Sequence, residues 1–273
     1  MPARMFEKLQ NVAVRFIASD ANTVPAGKAR RPHIAGMRIY GEPLFGFAEA
    51  GDPYLAGLKD IPAAGINPAL PREWLPAART VISFFLPFTA AVRASNRGGD
   101  YPSPEWLNAR IEGQAACEQL CRRLAAALTG AGHEAIIPAL DARFWSKALA
   151  PETGGPVFTS NWSERHAAYA CGLGTFSLSR GLITKKGVAG RFGSLITSLK
   201  IPATGRPYSG LYDYCTKCGA CVRACPVHAI SMKDGKDHIP CSRFLNKTKA
   251  ENAPYYGCGK CQTATPCEAG LPG

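Results

Sequence analysis

Apolar residues recur at helical spacing in three parts of the chain. Residues 6–19 place them on one face, which predicts an amphipathic helix. A longer amphipathic stretch covers residues 104–128, with proline in its first turn and glycine just beyond its end, as helices favour. A shorter helix is predicted over residues 163–170. These three segments account for the predicted helical part of the molecule.

Four short runs rich in β-branched and aromatic residues predict strands. They cover residues 81–88, 134–138, 182–184 and 194–197. Residues 21–79 are instead rich in glycine and proline, which predicts a wrapping segment with little long regular structure. The strand, helix, strand order around residues 81–138 predicts an α+β fold with an α/β core.

The composition changes near Tyr208, where closely spaced cysteines replace periodic hydrophobicity. This change predicts two domains, an α/β core of residues 1–207 with an N-terminal wrapping segment and a cysteine-rich domain of residues 208–273. Cys215, Cys218 and Cys221 are each separated by two residues, and Cys225-Pro226 follows. This spacing is typical of bacterial ferredoxins that bind 4Fe-4S clusters. Paired Cys-x2-Cys spacing also suits zinc, which is the alternative.

A second set of cysteines consists of Cys241, Cys258, Cys261 and Cys267. Four plus four ligands predict two 4Fe-4S clusters in a ferredoxin-like arrangement. In two-cluster ferredoxins the fourth cysteine of the run binds the other cluster. This exchange predicts one cluster on Cys215, Cys218, Cys221 and Cys267, and the other on Cys225, Cys241, Cys258 and Cys261. Cys117, Cys121 and Cys171 are predicted to pack in the core, although Cys171 adjoins a glycine turn and could face a cofactor.

The chain has 32 Lys and Arg against 20 Asp and Glu, a formal net charge of +12. Two ligated clusters would lower this to about +8. Such a surplus favours an acidic electron donor such as reduced ferredoxin or flavodoxin, or a polyanion such as RNA; it could also serve solubility alone. No signal core or membrane-spanning run is evident, which predicts a cytoplasmic protein without a membrane partner.

Some two hundred residues precede the cysteines, far more than electron storage needs, and this predicts a further site. Glycines at 172, 174, 190 and 193 would allow a ligand to approach the backbone closely. Gly172-Leu173-Gly174 lacks the rest of a dinucleotide fingerprint. His166 and Tyr169 lie three residues apart on the predicted helix and are candidate catalytic proton donors, with a structural role as the alternative.

Over residues 155–267 the sequence resembles the cobalamin-dependent iron-sulfur reductases, which include epoxyqueuosine reductase and the corrinoid reductive dehalogenases. The resemblance rests on Glu164-Arg165, residues 170–174 and 182–184, Gly193-Ser194, the ferredoxin run, Cys241 and residues 257–262. It implies a nitroreductase-like core that holds cobalamin beside the nearer cluster. The cofactor-binding residues that we expect are Arg165, Gly172, Leu173, Gly174, Gly190, Arg191, Gly193 and Ser194.

Three features depart from the family pattern. Phe158 occupies the position of the catalytic Asp of epoxyqueuosine reductases, six residues before Glu164. The final ligand is Pro266-Cys267 after a five-residue gap, where the family usually has Cys-Pro after three. The chain ends shortly after Cys267 without the C-terminal extension of epoxyqueuosine reductases, so tRNA is not an expected partner.

Two principal hypotheses of function follow. One is an enzyme that reduces a small organic substrate, such as a halide or an epoxide, through cobalamin. The other is a non-catalytic electron-transfer or activating protein that reduces a separate corrinoid protein or another redox partner. A flavin in the front domain is a third possibility, because nitroreductase-like folds often bind one.

Overall fold

The computed structural model describes residues 2–60, 68–149 and 157–273. The helices are α1 (Pro2–Ala18), α2 (Pro53–Gly57), α3 (Pro71–Trp74), α4 (Ala90–Ser95), α5 (Pro104–Thr129), α6 (Glu164–Ala170), α7 (Ala220–Arg223) and α8 (His238–Asn252). The strands are β1 (Leu44–Glu49), β2 (Thr80–Pro87), β3 (Ala135–Ile136), β4 (Ser146–Leu149), β5 (Val157–Ser160), β6 (Gly174–Phe176), β7 (Leu182–Thr184), β8 (Gly190–Thr197), β9 (Ile230–Ser231) and β10 (Gly235–Lys236).

A four-stranded antiparallel sheet in the order β1-β2-β8-β3 forms the centre of the fold. All eight residues of β2 are buried, because β2 is an inner strand and both of its faces are covered. The register places Phe84 of β2 opposite Gly193 of β8, and Ser83 opposite Ser194. The two long strands β2 and β8 therefore form a rigid base on which the functional residues of β8 are held.

Helices cover both faces of this sheet. On one face, α1 and α5 bury Leu9, Phe16, Leu120 and Leu124 against the sheet. On the other face, α6 packs against β2 and β8 through a second group of apolar residues that includes Trp162. Burial of this apolar surface on both sides is the main force that holds the three layers together.

The ends of α5 are set by local capping. The Ser103 side chain accepts a hydrogen bond from the backbone N–H of Trp106, which satisfies one donor of the first turn. Pro104 occupies the first turn, where its missing N–H costs nothing. Gly130 follows the last residue. This agrees with the predicted helix over residues 104–128.

The predicted mixture of helices and strands is confirmed, and the antiparallel sheet makes it an α+β fold. The predicted strand over residues 134–138 is wrong beyond Ile136, because Pro138 begins a 3-10 turn and has no N–H for a ladder. The strand predicted over residues 194–197 begins earlier, at Gly190. The first half of β8 was not predicted because it contains Gly190 and Gly193, and glycine is rare in strand interiors.

The prediction of little regular structure over residues 21–79 missed strand β1. Gly46 lies in its middle, and a Cβ there would come within 2.2 Å of the Cys171 carbonyl oxygen. Glycine is therefore required where α6 ends against this strand. The ladder β4-β5 and the helix α8 were also missed. Residues 61–67 of the segment lie outside the described residues.

The cysteine-rich segment packs firmly on α4 and α5. Glu268 is paired with Arg93 at 3.2 Å and with Arg97 at 2.8 Å. The buried Lys260 side chain donates to the carbonyl oxygens of Asn96 and Gly98. The boundary near residue 207 stays a prediction.

None of the described helices has both the length and the apolar character that a bilayer crossing requires.

Candidate functional site

The structure gathers the eight cysteines of the C-terminal segment around two separate cavities. The first quartet, Cys215, Cys218, Cys221 and Cys267, lines one cavity. The second quartet, Cys225, Cys241, Cys258 and Cys261, lines the other. These are the two ligand sets expected from the sequence. Their role as ligands stays a prediction, but each cavity with four surrounding thiols suits a 4Fe-4S core.

Within each quartet the thiols lie close enough to influence one another. Burial raises the pKa of Cys258 to about 12, and the neighbouring thiols of Cys261, Cys241 and Cys225 contribute to this rise. Burial likewise raises the pKa of Cys221 to about 11. Among the described residues, no three His, Cys, Asp or Glu side chains converge on a single metal ion. Iron bound in each cavity would supply the positive charge that four close thiolates need.

The two quartets differ in their exposure. Cys218 is exposed, whereas Cys225 is buried. Cys261 also contributes to the raised pKa of Cys221, which shows that the two quartets are neighbours. The first quartet therefore lies towards the surface and the second towards the core.

A larger cavity of about 470 Å³, here called the inner cavity, lies beside the second quartet. Helix α5, strand β8, the beginning of α6 and the beginning of α8 form its walls. Seven residues line both the inner cavity and the cavity of the second quartet: Arg110, Gly190, Arg191, Lys236, Cys241, Leu245 and Gln262. A volume of this size is typical of a site for a small molecule. The inner cavity and the cavity of the second quartet therefore adjoin each other.

The inner cavity has polar walls in which several groups lack partners. Its cationic residues are Arg110, Arg165, Arg191 and Lys236. The Nε atoms of Arg110 and Arg191 and the Oε2 atom of Glu164 are buried without a hydrogen-bond partner. Unpaired buried polar groups are costly, so a polar ligand that bound in this cavity would stabilise them.

Glu164 begins helix α6, where the Ser163 side chain caps the first turn. Burial raises the pKa of Glu164 to about 7, and a hydrogen bond with Ser194 opposes this shift. The carboxyl group is therefore partly protonated near neutral pH. A carboxyl with a pKa near the working pH is suited to proton transfer. From the sequence, Glu164 was noted only as part of the Glu-Arg pair, and a role was predicted only for Arg165.

Phe158, at the position where the family resemblance puts an Asp, lies in the wall of the inner cavity. Its side chain is 45% exposed, and its ring lies 6.0 Å from that of His238. Cys117 and Cys121, which were predicted to pack in the core, are buried and also line this wall. The Cys117 thiol donates to the Phe192 carbonyl oxygen at 3.6 Å.

His166 and Tyr169, the candidate proton donors, do not line the inner cavity. The Nδ1 atom of His166 lies 2.6 Å from the Tyr54 hydroxyl. Burial, assisted by the charge of Arg165, lowers the pKa of His166 to about 4. The Tyr169 hydroxyl donates to the Ser209 carbonyl oxygen, and its ring packs on Tyr54. Both side chains pack in an aromatic group with Tyr54, and this placement favours a structural role over proton donation.

The expected cofactor-binding residues fall into two groups. Arg165, Gly190, Arg191 and Gly193 line the inner cavity. Gly172, Leu173, Gly174 and Ser194 do not; the Ser194 hydroxyl accepts from the Trp162 indole N–H at 2.9 Å. The structure thus brings together only half of the set that the sequence led us to expect at the cofactor.

The four glycines are explained by contacts within the protein. A Cβ at Gly193 would lie 2.4 Å from the Phe84 ring, and one at Gly190 would lie 2.3 Å from the Leu86 carbonyl oxygen. At Gly172 and Gly174 the obstacles are the backbone oxygens of Gly205 and Ile183. Close packing of strands and turns, rather than the approach of a ligand, therefore accounts for each glycine.

Arg110 and Lys236 are cavity residues that were not predicted from the sequence. Arg110 lies on α5 three residues from Leu107 and Gly113, both buried. A charge on the buried face of an amphipathic helix was the signal that could have identified it. Lys236 lies at the end of β10, and only the tertiary fold brings it to the cavity.

Comparison with known proteins agrees with the cysteine motif. Residues 211–231 match the model of the 4Fe-4S binding domain. No significant match is found among curated protein sequences. The chain therefore contains a 4Fe-4S binding segment.

Solved structures of reductases share the fold. The catabolic reductive dehalogenase NpRdhA is 16% identical, with a TM-score of 0.57 over 98% of this chain and 37% of that protein. A reductive dehalogenase whose structure suggests a mechanism for B12-dependent dehalogenation is 18% identical, with a TM-score of 0.55 over 97% of this chain and 36% of its own. A selenomethionine-labelled epoxyqueuosine reductase is 19% identical, with a TM-score of 0.51 over 84% of this chain and 63% of that protein.

The chain thus spans less than two thirds of the length of each of these proteins. At such low identity the likeness establishes a common fold. It agrees with the resemblance found in the sequence.

We predict that Gly193→Ala lowers the free energy of unfolding by about 1–3 kcal/mol, because the added methyl group overpacks the interface of β8 with Phe84 and Cys121. Thermal unfolding of the cluster-loaded protein measures this. Gly205→Ala is the control, since a Cβ there meets no atom within 4 Å. Equal stability of the two variants would contradict the packing explanation.

Proposed function

We propose that the protein is an iron-sulfur oxidoreductase that delivers low-potential electrons through two 4Fe-4S clusters to the inner cavity, where a small organic substrate is reduced with cobalamin as cofactor. The observation that carries this proposal is the wall shared by the second quartet and the inner cavity, which includes Lys236, Cys241 and Gln262. An electron carrier and a polar site would thereby lie in direct contact.

The walls of the inner cavity offer contacts for the polar groups of a cofactor. Arg110, Arg165 and Arg191 would hold its polar groups, and the unpartnered Nε atoms of Arg110 and Arg191 are donors ready for such contacts. Leu182 and Val188 provide apolar surface on the same wall. When bound, cobalamin would supply a cobalt centre that is reducible and reactive towards carbon-halogen or carbon-oxygen bonds. The likeness of the fold to that of a B12-dependent dehalogenase supports this choice.

Electrons would enter on the side of the first quartet. Cys218 is exposed, and the neighbouring Lys217 and Arg223 are exposed cations. Tyr212 and Met232 add exposed apolar surface in the same segment. A basic and partly apolar surface of this kind suits an acidic donor such as reduced ferredoxin or flavodoxin. This partner is part of the proposal.

Glu164 is the proton donor that we assign to the cavity. Reduction of an organic substrate consumes protons as well as electrons, and Glu164 is a carboxyl in the cavity wall with one free oxygen. The acid that the family resemblance expects at position 158 is replaced by phenylalanine. Glu164 can therefore supply a proton on the same wall of the cavity.

The alternative is an electron-transfer or activating protein that reduces a separate corrinoid protein. Phe158 favours it, because its exposed ring occupies a position where the resemblance expects a catalytic acid. A flavin in the core is the third candidate, and a yellow chromophore released on denaturation would identify it. Metal content separates the first two candidates.

We predict that Cys218→Ala removes about half of the iron of the anaerobically purified protein, because one cluster loses a ligand while the other keeps all four. Iron analysis per chain measures the loss. Cys171→Ala is the matched control, since Cys171 is a buried thiol outside both quartets. Retention of all iron in Cys218→Ala would show that the ligand assignment is wrong.

We predict that Glu164→Gln changes the pH dependence of stability. The pKa of Glu164 is raised in the folded protein, so its contribution is fully present below about pH 4.5 and is lost as the pH rises through about 7. The wild type should therefore lose up to about 3 kcal/mol relative to Glu164→Gln between pH 4.5 and 8.

Thermal unfolding across this pH range tests the shift. Glu118→Gln, which changes another carboxyl of the cavity wall, is the control and should follow the wild type. Once a substrate is known, Glu164→Gln should also lower the rate at least about 100-fold. Parallel pH profiles of wild type and Glu164→Gln would argue against a protonated Glu164.

A further inference from the structure

The inner cavity holds more positive charge than the protein neutralises. Arg110, Arg165, Arg191 and Lys236 line it, and within the described ranges none of them forms an ion pair with a carboxylate. Two carboxyls share the wall, and neither balances this charge. Glu164 is partly protonated near neutral pH, because burial raises its pKa to about 7. Glu118 accepts a hydrogen bond from Gln114 and lies 4.0 Å from Arg122.

Two of these cations, Arg110 and Arg191, are neighbours. The Nη2 atom of Arg191 donates to the Arg110 carbonyl oxygen at 3.4 Å. Burial lowers the pKa of Arg110, and the charge of Arg191 lowers it further. The Tyr256 ring, 4.3 Å from the Arg110 guanidinium carbon, offsets part of this repulsion. Two like charges in a buried site are unfavourable unless an anion lies between them or beside them.

The cysteine quartet accounts for only part of the positive charge. Arg165 is attracted by Cys261, and Lys236 by Cys261 and Cys241. Four thiolates around a 4Fe-4S core leave a net charge of about −2. Four cations against this charge leave about two positive charges without a counterpart. Arg110 and Arg191 also line the cavity of the second quartet, so the charge of a bound cluster would be shared among all the neighbouring cations and would not balance them fully.

The unpartnered donors of the two arginines are consistent with the surplus charge. The Nε atoms of Arg110 and Arg191 are both buried and have no acceptor. A guanidinium group presents its N–H donors in a planar fork that matches the two oxygens of a carboxylate or a phosphate. An anionic oxygen group would therefore satisfy both the donors and the charge.

We propose that the inner cavity binds a ligand with an anionic oxygen group, a carboxylate or a phosphate, held by Arg110 and Arg191. The inference deepens the proposed function, on which it rests, by naming the chemical class of the bound molecule. The anionic group belongs either to the substrate or to a phosphate of the cofactor. These two sources share the same recognition chemistry, and the binding experiment distinguishes them.

The test is isothermal titration calorimetry of the anaerobically prepared, cluster-loaded protein with benzoate, with inorganic phosphate and with benzamide, the neutral counterpart of benzoate. We expect at least one anion to bind, and benzamide not to bind. Arg191→Gln and Arg110→Gln should each weaken anion binding about tenfold or more, because each removes a charge-assisted hydrogen bond. Arg122→Gln is the control, because it changes an exposed arginine of the same helix as Arg110.

Two further arms identify the source of the anion. If cobalamin addition abolishes binding of phosphate and benzoate, the site serves the phosphate of the cofactor. If anion binding persists in the cobalamin-loaded protein, the site serves the substrate. Arg191→Lys, which keeps the charge and loses the fork, should lie between wild type and Arg191→Gln; it also provides a readout if Arg191→Gln fails to fold.

The inference is overturned if no anion binds the wild type, or if both glutamine variants bind anions as tightly as the wild type. Failure of the proposed function would look different. Because binding is measured without turnover, anion binding with no loss of iron in Cys218→Ala would contradict the redox proposal and leave the anion site standing. Loss of half the iron without anion binding would contradict the anion site and leave the redox proposal standing.

Discussion

The contact between the cysteine-rich segment and the α4-α5 region is the interaction on which the rest of the site depends. Glu268 is almost fully buried and paired with Arg93 and Arg97, and this pairing keeps its pKa below the usual value although burial opposes ionisation. Lys260, which immediately precedes the ligand candidate Cys261, is held by two backbone carbonyls of the core. The second quartet is thereby fixed against the wall of the inner cavity.

The charged groups of the site also depend on where the two quartets lie. Thiols whose pKa values are raised by burial and by each other, as in Cys221 and Cys258, need the positive charge of iron to ionise. Ligated quartets are in turn negative, and the cations beside the second quartet oppose that charge. Arg110 and Arg191 line both the cavity of the second quartet and the inner cavity, and Glu164, a carboxyl that can hold a proton, lines the inner cavity. In the proposed function, electron delivery, proton supply and anion recognition thus meet on adjoining walls of one small volume.

The sequence predicted those parts of the molecule that local chemistry determines. The cysteine sets follow from spacing along short loops, and helix α5 follows from its periodicity and its caps. Strand β1 was missed because Gly46 disguises it, and the requirement for glycine there comes from the distant Cys171 carbonyl. The cavity was only half predicted, because Arg110 and Lys236 come from a helix and a hairpin that only tertiary packing brings to it. Periodicity also placed His166 and Tyr169 on helix α6 correctly. It could not predict that their side chains lie outside the inner cavity.

The most direct test of the account is the metal content of the protein purified anaerobically with and without added cobalamin. The account predicts about eight iron atoms per chain in both preparations, and about one cobalt atom per chain when cobalamin is supplied. Iron at this level without cobalt would contradict the cobalamin reductase and favour an electron-transfer protein acting on a separate corrinoid partner. Iron near about four atoms per chain or fewer would contradict the two-cluster arrangement itself.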